Sequence, residues 1–362
     1  MNWVLIFLGF SALIVLHEAG HFFAAKATGM RVEKFFLFFG PKLASVKRGE
    51  TEYGIAAIPA GGYVKISGMH PEDKLPPGEE HRGYYEQPVW KRIVVIGAGP
   101  AVNIALAFAI LFGLGFSVRT ADSTVAEVLP KTPAAAKLQP GDRILAVDGH
   151  RYPGVEGRDL IERFRDGIAS HECPGKRVDG CRAATPVILT VRRNGETRKI
   201  SVRPEYSAEA KRTLVGFGYG TEPSGYGVAD AAGWAVDQMW FVATRTVSVF
   251  ARLFEADKRE EVSGVVGVSA VANETIDVGT KEALFLLALV SLSLGLINLF
   301  PFLPLDGGHI FWSLVEKTRG RPVAYRTMER AGALGFVLVI MLFALGLTND
   351  IGRLTGEGFN VR

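Results

Sequence analysis

Cysteine is almost absent: the 362 residues hold only Cys173 and Cys181. Two thiols fall short of a four-ligand structural zinc site, and adding His171 still leaves the set incomplete. The pair is either two free thiols or one disulfide, and an oxidising compartment favours the disulfide. No period of about 20–50 residues repeats along the chain, which excludes solenoid architectures. No basic residue precedes the first apolar run, so a cleaved signal peptide is not expected. Basic residues do not interleave with aromatics on one soluble face, so nucleic acid is not an expected partner.

Long apolar runs, in contrast, are plentiful, and 48% of the residues are hydrophobic. Crossing a hydrocarbon core takes about 20 residues. Trp3–Ala27, Ile93–Val118 and Ala331–Thr348 qualify, and Ala283–Leu305 begins well but carries Asn298, Pro301 and Pro304 near its end. Four transmembrane segments is the simplest count. Lys26, Arg31, Lys34, Lys42, Lys47 and Arg48 follow the first run, and Lys91 and Arg92 precede the second. Lys317, Arg319, Arg321, Arg326 and Arg330 lie between the last two. The positive-inside tendency places both basic loops in the cytoplasm, so both termini and the long segment Arg119–Glu282 are expected outside.

Between these runs the patterning changes. Residues 30–69, rich in aromatic and β-branched residues, hold Gly40-Pro41, Arg48-Gly49 and Gly61-Gly62. They read as short strands joined by tight turns, either a small cytoplasmic sheet or a hairpin dipping towards the bilayer. Residues 70–92 read as a polar cytoplasmic loop. Residues 119–205 read as a small extracytoplasmic α/β module, with "STVAEVLP" and "VILTVRR" as strands and "GRDLIERFRDGI" as an amphipathic helix. Residues 206–282 read as an extracytoplasmic linker. In it, Tyr226–Glu255 spaces Trp234, Trp240, Val247, Phe250 and Phe254 as a helix, interrupted by Asp237, Arg245 and Arg252. That pattern fits a helix on the outer membrane surface or on the soluble module, with ordinary core packing as the alternative. The remaining divisions are 1–29, 93–118, 283–309, 310–330 and 331–362.

"HEAGH", His17–His21, closes the first apolar run. On a helix, His17 and His21 share one face and can reach one metal ion, while Glu18 projects beside it as a general base. Ionisable groups inside a span are expensive and point to function, although a polar cluster linking helices would also hold them. A catalytic zinc site usually has three protein ligands and one open position. "NLFPFLPLDGGH", Asn298–His309, offers Asp306 and His309 as rivals for the third place. Asp306 is also a natural N-cap for the helix that follows.

In this combination and order the sequence resembles the site-2 protease family, zinc metalloproteases that cut substrates within the membrane. The match runs through "HEAGH", "GAGPAVN" (Gly97–Asn103), and the N-x-x-P-x-x-x-L-D-G pattern at Asn298, Pro301, Leu305, Asp306 and Gly307. "PAAAKLQPGDRILAVDG", Pro133–Gly149, resembles the single PDZ domain of bacterial members, the regulator of sigma-E protease type. The resemblance implies a polytopic α-helical protein of the inner membrane, with four transmembrane segments, a membrane-associated β-hairpin and an extracytoplasmic PDZ-like domain. It implies that His17, His21 and Asp306 hold Zn2+, that Glu18 activates water, and that Asn298 helps hold an unwound substrate strand. "AIPAGGYVKISG", Ala57–Gly68, matches the hairpin that would pair with that strand. The expected partners are membrane lipid and single-pass transmembrane substrates, such as anti-sigma factors trimmed by a first protease, or signal-peptide remnants. Two positions depart from the pattern: Ser293 stands where some members carry a second Asn, and "VSGVVGV", Val262–Val268, lacks an expected proline. The rival functions are a membrane zinc protease acting on soluble tails, a metal transporter, and a PDZ-bearing scaffold. The position of Glu18 favours hydrolysis, because transport needs no base beside two ligands.

Overall fold

The computed structural model describes residues 2–69, 73, 75–252 and 265–355. The chain divides into two compact units, Met1–Gly115 with Val228–Arg362, and Phe116–Gly227.

The first unit contains four helices long and apolar enough to cross a membrane: Trp3–Ala27, Val89–Gly115, Thr280–Asn298 and Arg326–Gly352. They belong to α1 (Asn2–Ala27), α2 (Val89–Gly115), α6 (Thr280–Asn298) and α8 (Tyr325–Thr355). Trp3, Val4, Leu5, Leu8 and Phe10 of α1 and Leu334, Phe336 and Val337 of α8 are exposed. Such surfaces suit lipid, where a helix satisfies its own backbone groups. Several boundaries differ from those expected from sequence; the third span starts at Thr280 rather than Ala283, and the fourth runs Arg326–Gly352 rather than Ala331–Thr348. The second span starts at Val89 rather than Ile93, because Lys91 and Arg92 are helical and Arg92 is buried. It also ends at Gly115 rather than Val118. The third does not continue to residue 309. Helix α6 stops at Asn298, and α7 (Asp306–Arg319) begins anew after the turn holding Pro301 and Pro304.

Strands β1 (Val32–Arg48) and β2 (Thr51–Ile66) form one sheet in which both strands fold back. Phe35 pairs with Val64 and with Tyr53, and Phe36 pairs with Tyr63 and with Gly54. Val46 pairs with Tyr53 and Arg48 with Thr51. Four short runs therefore lie side by side, with 62–66 at one edge and 42–48 at the other. The bends need positive φ, supplied by Phe38 (71°), Gly40 (86°) and Gly61 (106°). The Phe38 ring lies 6.0 Å from the ring of Phe7. Phe7 is about 30 Å up α1 from Ala27 at 1.5 Å per residue. The sheet thus returns alongside the first span.

Helix α4 (Val228–Arg252) is a single amphipathic element over the described part of the expected helix; Phe254 and Glu255 lie outside the described residues. It packs on α2 and α6 instead of lying apart: a Cβ on Gly115 would meet Ala231, and Ala235 is buried with Leu111 and Ala288. Order along the two helices is opposite, so α4 runs antiparallel to α2. Helix α5 (Val265–Val278) precedes α6, and the Gly267 N–H donates to the buried carboxylate of Asp350. Within 70–92, residues 70–72 and 74 lie outside the described residues. So do Val262, Ser263 and Gly264 of the second departure noted above.

The second unit runs past the expected boundary at residue 205. A five-stranded sheet has the order β6-β5-β4-β3-β9, with β3 (Arg119–Val128), β4 (Arg143–Val147), β5 (Val187–Arg193), β6 (Glu196–Val202) and β9 (Phe217–Pro223). Strand β9 pairs with β3, which draws residues 217–223 into the module. Helix α3 (Gly157–Ala169) buries Ile161, Phe164 and Ile168, the apolar stripe legible in its sequence. Phe164 and Ile168 join Val125, Ile144, Leu189 and Val191 in one core. A small hairpin, β7 (Glu205–Ser207) with β8 (Arg212–Leu214), completes the unit. Cys173 and Cys181 form a disulfide.

Candidate metal centre

His17 and His21 fall one turn apart on α1, and both are 7% exposed. Asp306, the first residue of α7, arrives from the other end of the sequence. His17 Nε2 lies 3.1 Å from Asp306 Oδ2, His21 Nε2 lies 3.4 Å from the same oxygen, and the two Nε2 atoms are 3.2 Å apart. Among the described residues, this is the only His/Cys/Asp/Glu trio whose ligating atoms gather this closely. His309 is not part of the trio. It lies on α7 facing a small cavity with Tyr84, Tyr85, Arg92 and Ser313.

The geometry fits a zinc ion on two counts. Zinc bonds to N and O of about 2.0–2.1 Å in tetrahedral geometry place neighbouring ligand atoms about 3.3 Å apart. The three separations bracket that value. The space beside the imidazoles is also kept open: a Cβ on Gly99 would stand 2.3 Å from His21 Nε2 and 2.8 Å from His17 Nε2. Both Nε2 atoms therefore sit where any larger residue at position 99 would crowd them.

Neighbouring elements aim these three side chains. Helices α1 and α2 approach closely because Gly20 has no side chain; a Cβ there would meet the Ala98 carbonyl oxygen at 2.6 Å. From α2, the Val95 carbonyl accepts the His21 Nδ1–H at 2.9 Å. That bond selects the tautomer whose Nε2 carries a free lone pair. Asp306 is aimed by the turn before it. Gly307 and Gly308 sit against backbone of Leu299–Leu303, where any Cβ would approach within 2.2–2.4 Å. Gly335 of α8 closes on the Leu303 carbonyl from the far side.

Glu18 is half-buried beside the two imidazoles. Its Cγ lies against Gly62, where a Cβ would stand 3.1 Å away. The 62–66 edge of the sheet therefore runs past the carboxylate. Asn298 ends α6, and its Nδ2 donates to the Leu294 carbonyl one turn back at 3.0 Å. Ser293 lies within α6, while Ser291 donates to the Asn103 carbonyl at 2.9 Å. Sequence reading singled out His17, Glu18, His21 and Asp306, and the structure brings these together. It quoted Gly99 and Gly307 within motifs without giving either a role, and it did not single out Gly308 or Val95. The glycines are conspicuous in "GAGP" and "LDGG", but nothing local says what they make room for.

Two histidines and a carboxylate from a distant helix, with a glutamate adjacent, form a group that could hold a metal ion. The family model for peptidase family M50 matches residues 5–342. A protein of Clostridium perfringens named as a zinc metalloprotease is 31% identical over 357 residues, covering 97% of this chain and 98% of its own length. Zinc metalloprotease Rip1 of Mycobacterium tuberculosis is 31% identical over 398 residues, covering 96% of each chain. A zinc metalloprotease by name from Rhizobium meliloti is 30% identical over 371 residues, covering 95% of this chain and 94% of its own. The chain belongs to peptidase family M50, the site-2 protease family. It is a metalloprotease with zinc as its cofactor.

Proposed function

We propose that the protein is a zinc-dependent endopeptidase that cleaves single-pass substrates within the membrane, with His17, His21 and Asp306 as the metal ligands and Glu18 as the general base. One observation carries this reading. Three potential ligand atoms, from residues at opposite ends of the sequence, lie within 4.8 Å of one another, beside a second carboxylate, that of Glu18. Zinc held by them would polarise the scissile carbonyl and lower the pKa of its bound water to about 7.

The chain's own groups do the rest. Glu18 accepts the proton of the attacking water and returns it to the leaving amine. A helical peptide bond is shielded by its own hydrogen bonds, so the substrate must unwind. The 62–66 sheet edge beside Glu18 offers backbone groups to an added strand. Asn298, at the end of α6, helps hold that strand once its amide leaves the Leu294 carbonyl. The substrates in this proposal are anti-sigma factors already trimmed by a first protease, or signal-peptide remnants. The second unit acts as an extracytoplasmic PDZ-like domain, and both termini lie outside the inner membrane.

The test is Glu18→Gln, which preserves size and removes basicity. The purified variant should keep its zinc and lose about 10²–10⁴ of its rate on a model transmembrane segment. Near-normal cleavage by a homogeneous preparation would exclude Glu18 as the base.

A further inference from the structure

Helix α7 carries one metal ligand and is tied down at both ends. Asp306 opens it against His17. Near the other end, Glu316 receives both arms of Arg92 from α2, with Nη1···Oε2 at 3.0 Å and Nη2···Oε1 at 2.6 Å. Arg92 is 2% exposed, and its guanidinium lies 5.9 Å from the Tyr84 ring centre and 5.4 Å from that of Tyr85. Asp306, His309, Ser313 and Glu316 recur at helical spacing and share one face of α7. Arg92 lines the same small cavity as His309, Ser313 and Glu316, so this face is turned towards α2.

Helix α2 thus reaches all three ligands. The Val95 carbonyl orients His21, Gly99 makes room beside both imidazoles, and Arg92 holds the helix that begins with Asp306. We propose that Arg92 and Glu316 are positioning residues of the metal centre: their buried bidentate pair fixes α7 on α2 so that the Asp306 carboxylate meets the two histidines. This inference rests on the metallopeptidase reading above.

The physical case has three parts. The turn before Asp306 is broken by Pro301 and Pro304, so no continuous helix links α6 to α7, and the packing of Gly307 and Gly308 on that turn holds only the first residues of α7. The helix itself is stiff, and a rotation at Glu316 is delivered to Asp306. Ligand geometry tolerates errors of only about 0.5 Å. A bidentate Arg–carboxylate pair constrains direction as well as distance, which a lysine ammonium does not. Removing either partner also leaves a buried, uncompensated charge in the α2–α7 contact.

The experiment uses the full chain in detergent and four variants: Arg92→Lys, Glu316→Gln, the exchange Arg92→Glu with Glu316→Arg, and Leu111→Ala. The last makes a cavity in α2 away from α7 and controls for lost stability. Readouts are zinc retention against a series of chelators, kcat and KM on a model transmembrane substrate, and Tm. Arg92→Lys and Glu316→Gln should each weaken zinc retention about 10- to 100-fold, the range for residues that support metal ligands. Both should lower kcat with little change in KM. The exchange should recover part of the zinc affinity, and Leu111→Ala should keep its zinc despite a lower Tm. Wild-type zinc retention in both single variants would overturn the proposal. So would equal zinc loss in Leu111→Ala at matched Tm. If the wild-type protein holds zinc and fails to cleave any membrane substrate, the proposed function falls while the clamp stands or falls on zinc retention alone.

Discussion

At the scale of single residues, the centre depends as much on absent side chains as on present ones. Gly99 is the clearest case, because the volume a methyl group would fill lies beside both Nε2 atoms. Gly99→Ala should therefore reduce zinc retention by about tenfold or more while α2 remains helical, since alanine is the better helix former. Equal zinc content at equal chelator would remove the glycine from the metal site. The choice between Asp306 and His309 is a second matter for this scale. Both follow the proline-broken turn, and only Asp306 lies within ligand distance of the histidines. Asp306→Ala should lose zinc and abolish cleavage, whereas His309→Ala should retain part of both. Elemental analysis beside an activity assay decides it, and the reverse pattern would overturn the ligand assignment.

At the scale of elements, the cytoplasm-facing end of α1 in the proposed topology is joined to its neighbours by charge. Glu50, in the turn between β1 and β2, receives Arg82 through two hydrogen bonds at 2.8 and 2.9 Å and also pairs with Lys26 of α1. Arg31 and Glu79 extend the network. The Arg82 guanidinium, with Lys26, holds the Glu50 carboxyl down to about 2, against an ordinary value of 4.5. A depressed carboxyl adds stability that is complete above the unfolded pKa. That stability is lost as pH falls through the folded one. Melting temperature should therefore drop between about pH 4.5 and 2 in the wild type, and Glu50→Gln should flatten this part of the profile. Superimposable profiles would show that the network does not respond to this group. The helix boundaries belong to the same scale. Lys91 and Arg92 looked like the edge of a loop because charges seldom begin a span. Arg92 enters the helix because Glu316, far away in sequence, supplies the second half of a buried pair.

At the scale of the molecule, the disulfide allows the proposed orientation to be checked. Cys173 and Cys181 are bonded to each other in the second unit. With both termini outside, a membrane-impermeant thiol reagent applied to intact cells should label them only after reduction. Labelling without reduction would mean that the bond is absent in cells. No labelling after reduction, when permeabilised cells do label, would reverse the orientation.

Much of the chemistry could be read along the chain because it follows from short spacing. Four residues on a helix put His17 and His21 on one face, and the same rule places Glu18 beside that face in the proposed site. Apolar runs of sufficient length specify helices in lipid, since no other single segment satisfies its backbone there. Alternation and turn residues likewise revealed the strands around Gly40, Gly49 and Gly61. The rest depended on contacts between distant segments. Whether Asp306 or His309 faces the histidines is a matter of how α7 is rotated. That rotation is set by Gly307 and Gly308 against the preceding turn and by Arg92 on α2. The extent of the second unit is decided by β9 returning to β3, and the seat of α4 by Ala231 and Ala235 fitting against α2 and α6. Periodicity reports which face of an element is apolar or reactive. Only tertiary packing determines what that face meets, because the partner's position depends on close approaches and buried pairs between residues remote in sequence.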